Sequence, residues 1–242
     1  MEKIKDFSLL LFDRDLTDHY HFIVETLKDA SELMSTEDRS FDKQAMLGVT
    51  MIQSLMQYTE AVGAYCLACQ KTDREEFTKV ILKYRPKEIH GFYSRVESLT
   101  EAELSNILSY LNSSFWTSES DEDVIKEKMR ASITQLKEKL RGLCRFWNEY
   151  HDFYNASKHG GRYWISEVSH KEKEDKYLGI QWLNMDRNFD TILLGGDELK
   201  SEMIRLADET RSIMLALHAN RVLIWSSGGR VNPTEYRYIL EG

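Results

Sequence analysis

Hydrophobic positions along the chain recur mostly at intervals of three and four residues, separated by short polar breaks, and this spacing predicts long helices. A first helix is predicted over about 16–34, ending in the polar stretch from Thr36 to Ser40. A second, over about 41–71, is apolar around most of its circumference and so belongs at the centre of a bundle. Thr72 with Glu75 and Thr100 with Glu103 have the form of capping boxes, in which a hydroxyl and a carboxylate satisfy the free amides of a helix start. Short helices are expected after each, ending near Tyr84 and Asn112, with Pro86 interrupting before a further helix near 88–97. The best-patterned helix runs from about 121 to Lys158. Its positions Met129, Ile133, Leu136, Leu140, Leu143, Trp147, Tyr150 and Tyr154 alternate steps of four and three, forming one apolar seam. Gly160 and Gly161 stop it.

Beyond those glycines the period changes. Residues 162–168 and 177–183 alternate like strands around a charged turn at 171–176, predicting a β-hairpin, and Phe189 to Leu194 is a third candidate strand. Asp197 is placed to cap a last helix over about 198–225, and the tail from 228 looks irregular. The fold class predicted is mainly α: an up-and-down helical bundle with long helices near 41–71, 121–158 and 198–225, plus a small β-hairpin insertion near 162–184. One domain is expected over 1–242, with the insertion extending to about 194. Two prolines and twelve glycines are too few for a turn-rich β-sandwich or propeller.

Charge and cysteine usage narrow the class. Across 242 residues, 32 Lys and Arg stand against 40 Asp and Glu, a net charge of −8. That excludes a chain coated in basic residues for nucleic acid, but leaves room for a local basic patch. Three cysteines are too sparse for a disulfide framework and suit a reducing compartment. The apolar run Leu9 to Phe12 is too short for a signal segment, and no stretch has the roughly 20 apolar residues that span a bilayer. A cytoplasmic protein without membrane association is expected.

Two motifs carry less chemistry than they suggest. Asp13, Asp15 and Thr17 match the Asp-x-Asp-x-Thr pattern of haloacid dehalogenase-like phosphatases, but a helical pattern follows where a parallel sheet is required. Cys66 and Cys69 lie within the second helix with no second pair and no close histidine, so they read as core thiols rather than as a zinc site. No metal and no cofactor are expected.

The informative stretch lies at 137–162, where six Lys and Arg face three carboxylates. Arg141, Arg145, Asn148, Asp152, Asn155 and His159 repeat at steps of four and three, which aligns them on one helix face away from the apolar seam. His151 and Lys158 sit on its flank. A solvated polar face ending in Lys158, His159 and glycine accounts for the pattern by helix-ending rules alone. The aromatic neighbours Phe146, Trp147, Tyr150, Phe153, Tyr154, Tyr163 and Trp164 suggest instead that ring faces beside cations hold bases or a partner chain.

Tyr154-Asn-Ala-Ser-Lys-His-Gly160 at the end of a long helix resembles the Asn-x-x-x-His portion of the HEPN superfamily motif. Arg145 and His151 fit that family's spacing of Arg, four to six residues, then His. Phe146 stands where a polar residue commonly follows the Arg, and Tyr154 stands in the Arg position of the second match. The resemblance implies an α-helical, often dimeric protein that is either a metal-independent ribonuclease of toxin, phage-defence or RNA-processing type or an inactive relative. Cleavage would proceed by attack of the 2′-OH on the adjacent phosphate, with His159 or His151 as general base. Arg145 and Lys158 would stabilise the transition-state charge and Asn155 would orient substrate or histidine. Arg141, Asn148, Tyr154 and Arg162 would contact substrate. The partners implied are a second copy, RNA, and a protein such as an antitoxin. The alternative is a non-catalytic helical module for protein interaction or dimerisation.

Overall fold

The computed structural model describes residues 16–34, 41–71, 73–110, 119–158, 163–169, 176–183, 189–194, 197–229 and 231–239. It is mainly α with a small antiparallel sheet. The described helices are α1 (Leu16–Met34), α2 (Phe41–Cys69), α3 (Arg74–Lys83), α4 (Pro86–Ser94), α5 (Glu101–Ile107), α6 (Glu119–Lys158) and α7 (Asp197–Ser226). The strands β1 (Tyr163–Ser169), β2 (Lys176–Leu183) and β3 (Phe189–Leu194) lie between α6 and α7, and single 3₁₀ turns cover Val96–Ser98 and Pro233–Glu235.

Local sequence chemistry accounts for the helix ends. Thr100 caps α5 as expected, with Glu103 N donating to its hydroxyl at 3.2 Å while the Glu103 carboxylate accepts from the Thr100 amide at 2.8 Å. The cap of α3 is corrected by one residue: Asp73 holds it, accepting from the Glu76 amide at 2.9 Å. Either a hydroxyl or a carboxylate serves at that position, and the chain offers both in succession. Thr72 lies outside the described residues. Pro86 opens α4 at its first turn, where its missing N–H costs nothing, so this helix starts two residues earlier than expected. The expected helix end at Asn112 is also corrected: α5 stops at Ile107, and Ser109 follows at a φ of 62°.

The chain divides into two compact units, one of 1–18, 59–144 and 209–242, the other of 19–58 and 145–208. In the first, α2 and α4 approach closely at Gly63, where an added Cβ would lie 3.0 Å from Tyr93 and 3.1 Å from Ile89. The Tyr93 hydroxyl donates to the Thr59 carbonyl at 2.7 Å across that contact. Ser132 of α6 accepts from the Tyr110 hydroxyl at 2.8 Å and from the Ile239 amide at 2.7 Å, so the C-terminal segment is tied to the core. Burial pushes the Tyr110 phenol well above its usual range, although the Ser132 bond opposes the shift. Arg221 of α7 is buried, 4% exposed, and donates to the Cys69 and Lys71 carbonyls at the end of α2.

In the second unit, β1, β2 and β3 form one antiparallel sheet in that order, with Tyr163 opposite Trp182 and Trp182 opposite Asp190. The sheet is fixed to α6 through Phe153, whose ring packs edge-on against Tyr163 at 5.5 Å and Trp182 at 5.7 Å. Lys28 of α1 pairs with Asp208 of α7 at 3.0 Å. The antiparallel sheet, with α1 beginning at Leu16, does not supply the parallel sheet that phosphatase chemistry requires. Asp13 and Asp15 themselves lie outside the described residues.

Candidate functional site

The helix α6 is unbroken through Lys158, and this places the candidate residues. Leu136, Leu140, Leu143, Trp147, Tyr150 and Tyr154 of the seam are all buried, while Arg145, Asn148, Asp152 and Lys158 are exposed. His151 and Asn155 are half-buried between the two faces. His159 and Arg162 lie outside the described residues.

His151 is held at both ring nitrogens. Its Nδ1–H donates to Asp152 Oδ1 at 3.2 Å, and the Asn155 amide Nδ2–H donates to its Nε2 at 2.9 Å. The Trp147 ring lies 5.1 Å away, tilted by 42°. A neutral imidazole with one donating and one accepting nitrogen fits this arrangement. The carboxylate fixes the ring's orientation. Nε2 is the nitrogen that would take up a proton, once the Asn155 amide turns away.

Three of the expected groups are engaged within the molecule or buried. Tyr154 does not offer a ring to substrate: it is 2% exposed, and the Lys158 ammonium sits 4.0 Å from its ring centroid. The seam that makes α6 a core helix places this residue inward. The same reason buries Phe146, Trp147, Tyr150 and Phe153, leaving Trp164 as the exposed member of the aromatic set, with Tyr163 half-buried. Arg141, in the first unit, is engaged by Glu97, whose carboxylate accepts from its Nε at 2.9 and 3.0 Å and lies 2.8 Å from its Nη2. That carboxylate, by hydrogen bond first and charge second, raises the guanidinium pKa further.

Two clefts within the second unit flank the exposed face of α6. Arg145, Phe146, Glu149, Tyr150, Leu199, Glu202 and Met203 line one of about 240 Å³. The other, about 610 Å³, adds Asn148, Asp152, Trp182, Asp190 and Thr191 to Glu149, Tyr150 and Leu199. Burial first, then Glu149 and Glu202, holds the Tyr150 phenol above its ordinary range, so it is a protonated donor. Sequence spacing along α6 could not supply Trp182, Asp190, Leu199 or Glu202, because they come from β2, β3 and α7. The one local signal was the strand alternation that places Trp182 inward.

Among the described residues no group of three or more His, Cys, Asp or Glu is arranged to hold a metal ion. Cys66 and Cys69 are buried free thiols, and no helix among the described residues is long and apolar enough to cross a membrane. Compared with family models, curated proteins and solved structures, the chain matches none.

Proposed function

We propose that this protein is an HEPN-like, metal-independent ribonuclease whose working helix is α6. The observation that carries the proposal is the grip on His151: Asp152 and Asn155 hold its two nitrogens on a helix that also displays Arg145 and ends in Lys158. Histidine on a fixed carboxylate suits a general base near neutral pH. In cleavage, His151 Nε2 or the imidazole of His159 takes the proton of a ribose 2′-OH. The 2′ oxygen then bonds to phosphorus, the P–O5′ bond breaks, and the 5′ oxygen takes a proton from a general acid or from water. Arg145 and Lys158 neutralise the charge that builds on the phosphoryl oxygens. Asp152 is a positioning residue acting through His151. A second copy, meeting the first along the same helix face, would double these groups and exclude water.

The test is incubation of the full chain with single-stranded RNA in EDTA, following the appearance of 2′,3′-cyclic phosphate ends. His151→Ala or His159→Ala is expected to lower cleavage at least 100-fold with the thermal melt preserved. Asp152→Asn is expected to lower kcat more than it raises KM and to shift the acid limb of the pH profile. Absence of cleavage by the unaltered chain, or wild-type rates in both histidine variants, ends this proposal.

A second reading, a non-catalytic interaction module, is favoured by the sheet. Trp164 is 43% exposed and Phe189 65% exposed, with their rings 5.0 Å apart, and such a pair on a strand face suits a protein partner or a second copy. Trp164→Ser with Phe189→Ser would then change the oligomeric state or abolish partner binding, with no hydrolysis in any condition.

A further inference from the structure

The first unit holds a cleft of about 400 Å³ lined by Leu67, Gln70, Lys71, Lys79, Val80, Lys83, Tyr84 and Glu88. Three ammonium groups and one carboxylate therefore line it, in a chain that is acidic overall. Neither Lys71 nor Lys83 makes an ion pair or side-chain hydrogen bond among the described residues. Lys79 pairs with Glu75 at 2.8 Å, but both are exposed, and such pairs exchange easily for a better anion. Glu88 spends a carboxylate oxygen on the Arg85 amide at 2.7 Å, in the cap of α4.

Lysines near helix ends are ordinarily explained by the negative end of the dipole. At the end of α2 that role is already filled, because the buried Arg221 guanidinium donates to the Cys69 and Lys71 carbonyls. The Lys71 ammonium is not needed for that role and lies among the residues lining the cleft. Tyr84 contributes a phenol that burial and the nearby Glu60 keep protonated, so it too is a donor. Three ammonium groups, the Gln70 amide and the Tyr84 phenol are the donors among its lining residues, set beside Leu67, Val80 and the lysines' own methylene stems. Flexible ammonium groups suit phosphate oxygens as point charges, without reading base edges.

We propose that this cleft binds backbone phosphates of single-stranded RNA through Lys71, Lys79 and Lys83, an inference whose choice of RNA rests on the ribonuclease reading. Free nucleotides and pyrophosphate share the same phosphate chemistry, and the test separates them.

The probe is a labelled 2′-O-methyl oligouridylate, which lacks the attacking hydroxyl and so reports binding without cleavage. Fluorescence anisotropy with the full chain is followed from low to moderate salt, with ATP and inorganic pyrophosphate as competitors. Three phosphate contacts on a single strand give a slope of about −2 for log affinity against log salt. Lys71→Gln, Lys79→Gln and Lys83→Gln together are expected to weaken binding at least 10-fold and bring that slope towards zero. A control with Lys43→Gln, Lys128→Gln and Lys139→Gln, of equal net charge, keeps most of the affinity. Unchanged affinity and slope in the cleft variant, or an equal loss in the control, overturns the inference. So does lysine-dependent binding of ATP or pyrophosphate without binding of the oligonucleotide. Binding that needs the three lysines while ordinary RNA stays uncut leaves this inference standing and removes the ribonuclease proposal alone; cleavage with the cleft variant binding normally does the reverse.

Discussion

The Asn220 side chain pairs with the backbone of Arg237 in both directions: its Nδ2–H donates to the Arg237 carbonyl at 3.1 Å, and its Oδ1 accepts from the Arg237 amide at 2.7 Å. The same amide nitrogen donates to the Leu108 carbonyl at 3.1 Å. One buried side chain thus stands in for a strand partner of the C-terminal segment. Replacing it by alanine strips three backbone groups of their partner, at a cost of about 3 kcal/mol. Urea unfolding measures that loss, and limited trypsin digestion at the exposed Arg237 should accelerate in parallel. Asn220→Asp keeps the accepted bond and loses both donated ones, so it should fall no closer to the parent than halfway. A melt unchanged by Asn220→Ala would contradict this role.

Gly63 and Gly91 make opposite predictions from the same substitution. A Cβ at Gly63 meets the Tyr93 ring, which cannot yield because its hydroxyl is fixed on Thr59. Overpacking outweighs the gain in helix propensity, and Gly63→Ala should cost about 1 kcal/mol. At Gly91 of α4 nothing lies within 4 Å, so Gly91→Ala should stabilise by up to about 1 kcal/mol. Paired thermal melts decide it, and a gain at both positions would mean that the α2–α4 contact is looser than described.

Arg221 lies beside the edge-on Phe77–Trp225 pair, 5.6 and 5.9 Å from their ring centroids, while its guanidinium closes the end of α2. Arg221→Met keeps much of the volume but leaves the Cys69 and Lys71 carbonyls without their donors. The expected loss is about 3 kcal/mol by chemical denaturation, with Arg221→Lys recovering part of it. Equal losses in both variants would show that the planar fork, rather than the charge, is what the site requires.

Burial holds the Cys69 thiol protonated, up to about 11, against the opposing influence of Arg221, and Cys66 is raised by burial as well. A thiol neutral in the fold and ionised when unfolded binds more protons in the native state between those limits. Its contribution is therefore present below about pH 9 and lost as pH rises to about 11, a fall of about 3 kcal/mol. Cys69→Ala should reduce the fall in stability over that interval, with Cys66 keeping a share of it. In the native protein iodoacetamide should modify the partly exposed Cys144 first, and reach Cys66 and Cys69 only on unfolding.

Along α6 the sequence pattern and the structure agree from Leu136 to Tyr154, where every seam position is buried. They part near the helix start. Met129 and Ile133 are half-buried, while Ile125 and the polar Ser132 are buried. Ser132 could not be placed inside by hydrophobic spacing, since its burial is supported by two hydrogen bonds from Tyr110 and Ile239. The candidate site divides in the same way. Spacing placed Arg145, Asn148, Asp152 and Asn155 along one side and made Asn155 the i+4 neighbour of His151, but did not specify that Asp152 and Asn155 would take its two ring nitrogens. Nor did it show that Glu97 would take Arg141.

By itself the sequence determined where the helices and strands lie and the inward face of α6 from Leu136 to Tyr154, because amphipathic periodicity and capping are properties of a few neighbouring residues. Tertiary structure decided which polar groups distant along the chain meet. Asn220 and Leu108 are 112 residues apart, Arg221 and Cys69 are 152 apart, and Ser132 and Ile239 are 107 apart. A buried polar side chain is admitted wherever the fold brings it a partner, and no local pattern encodes a partner that far along the chain.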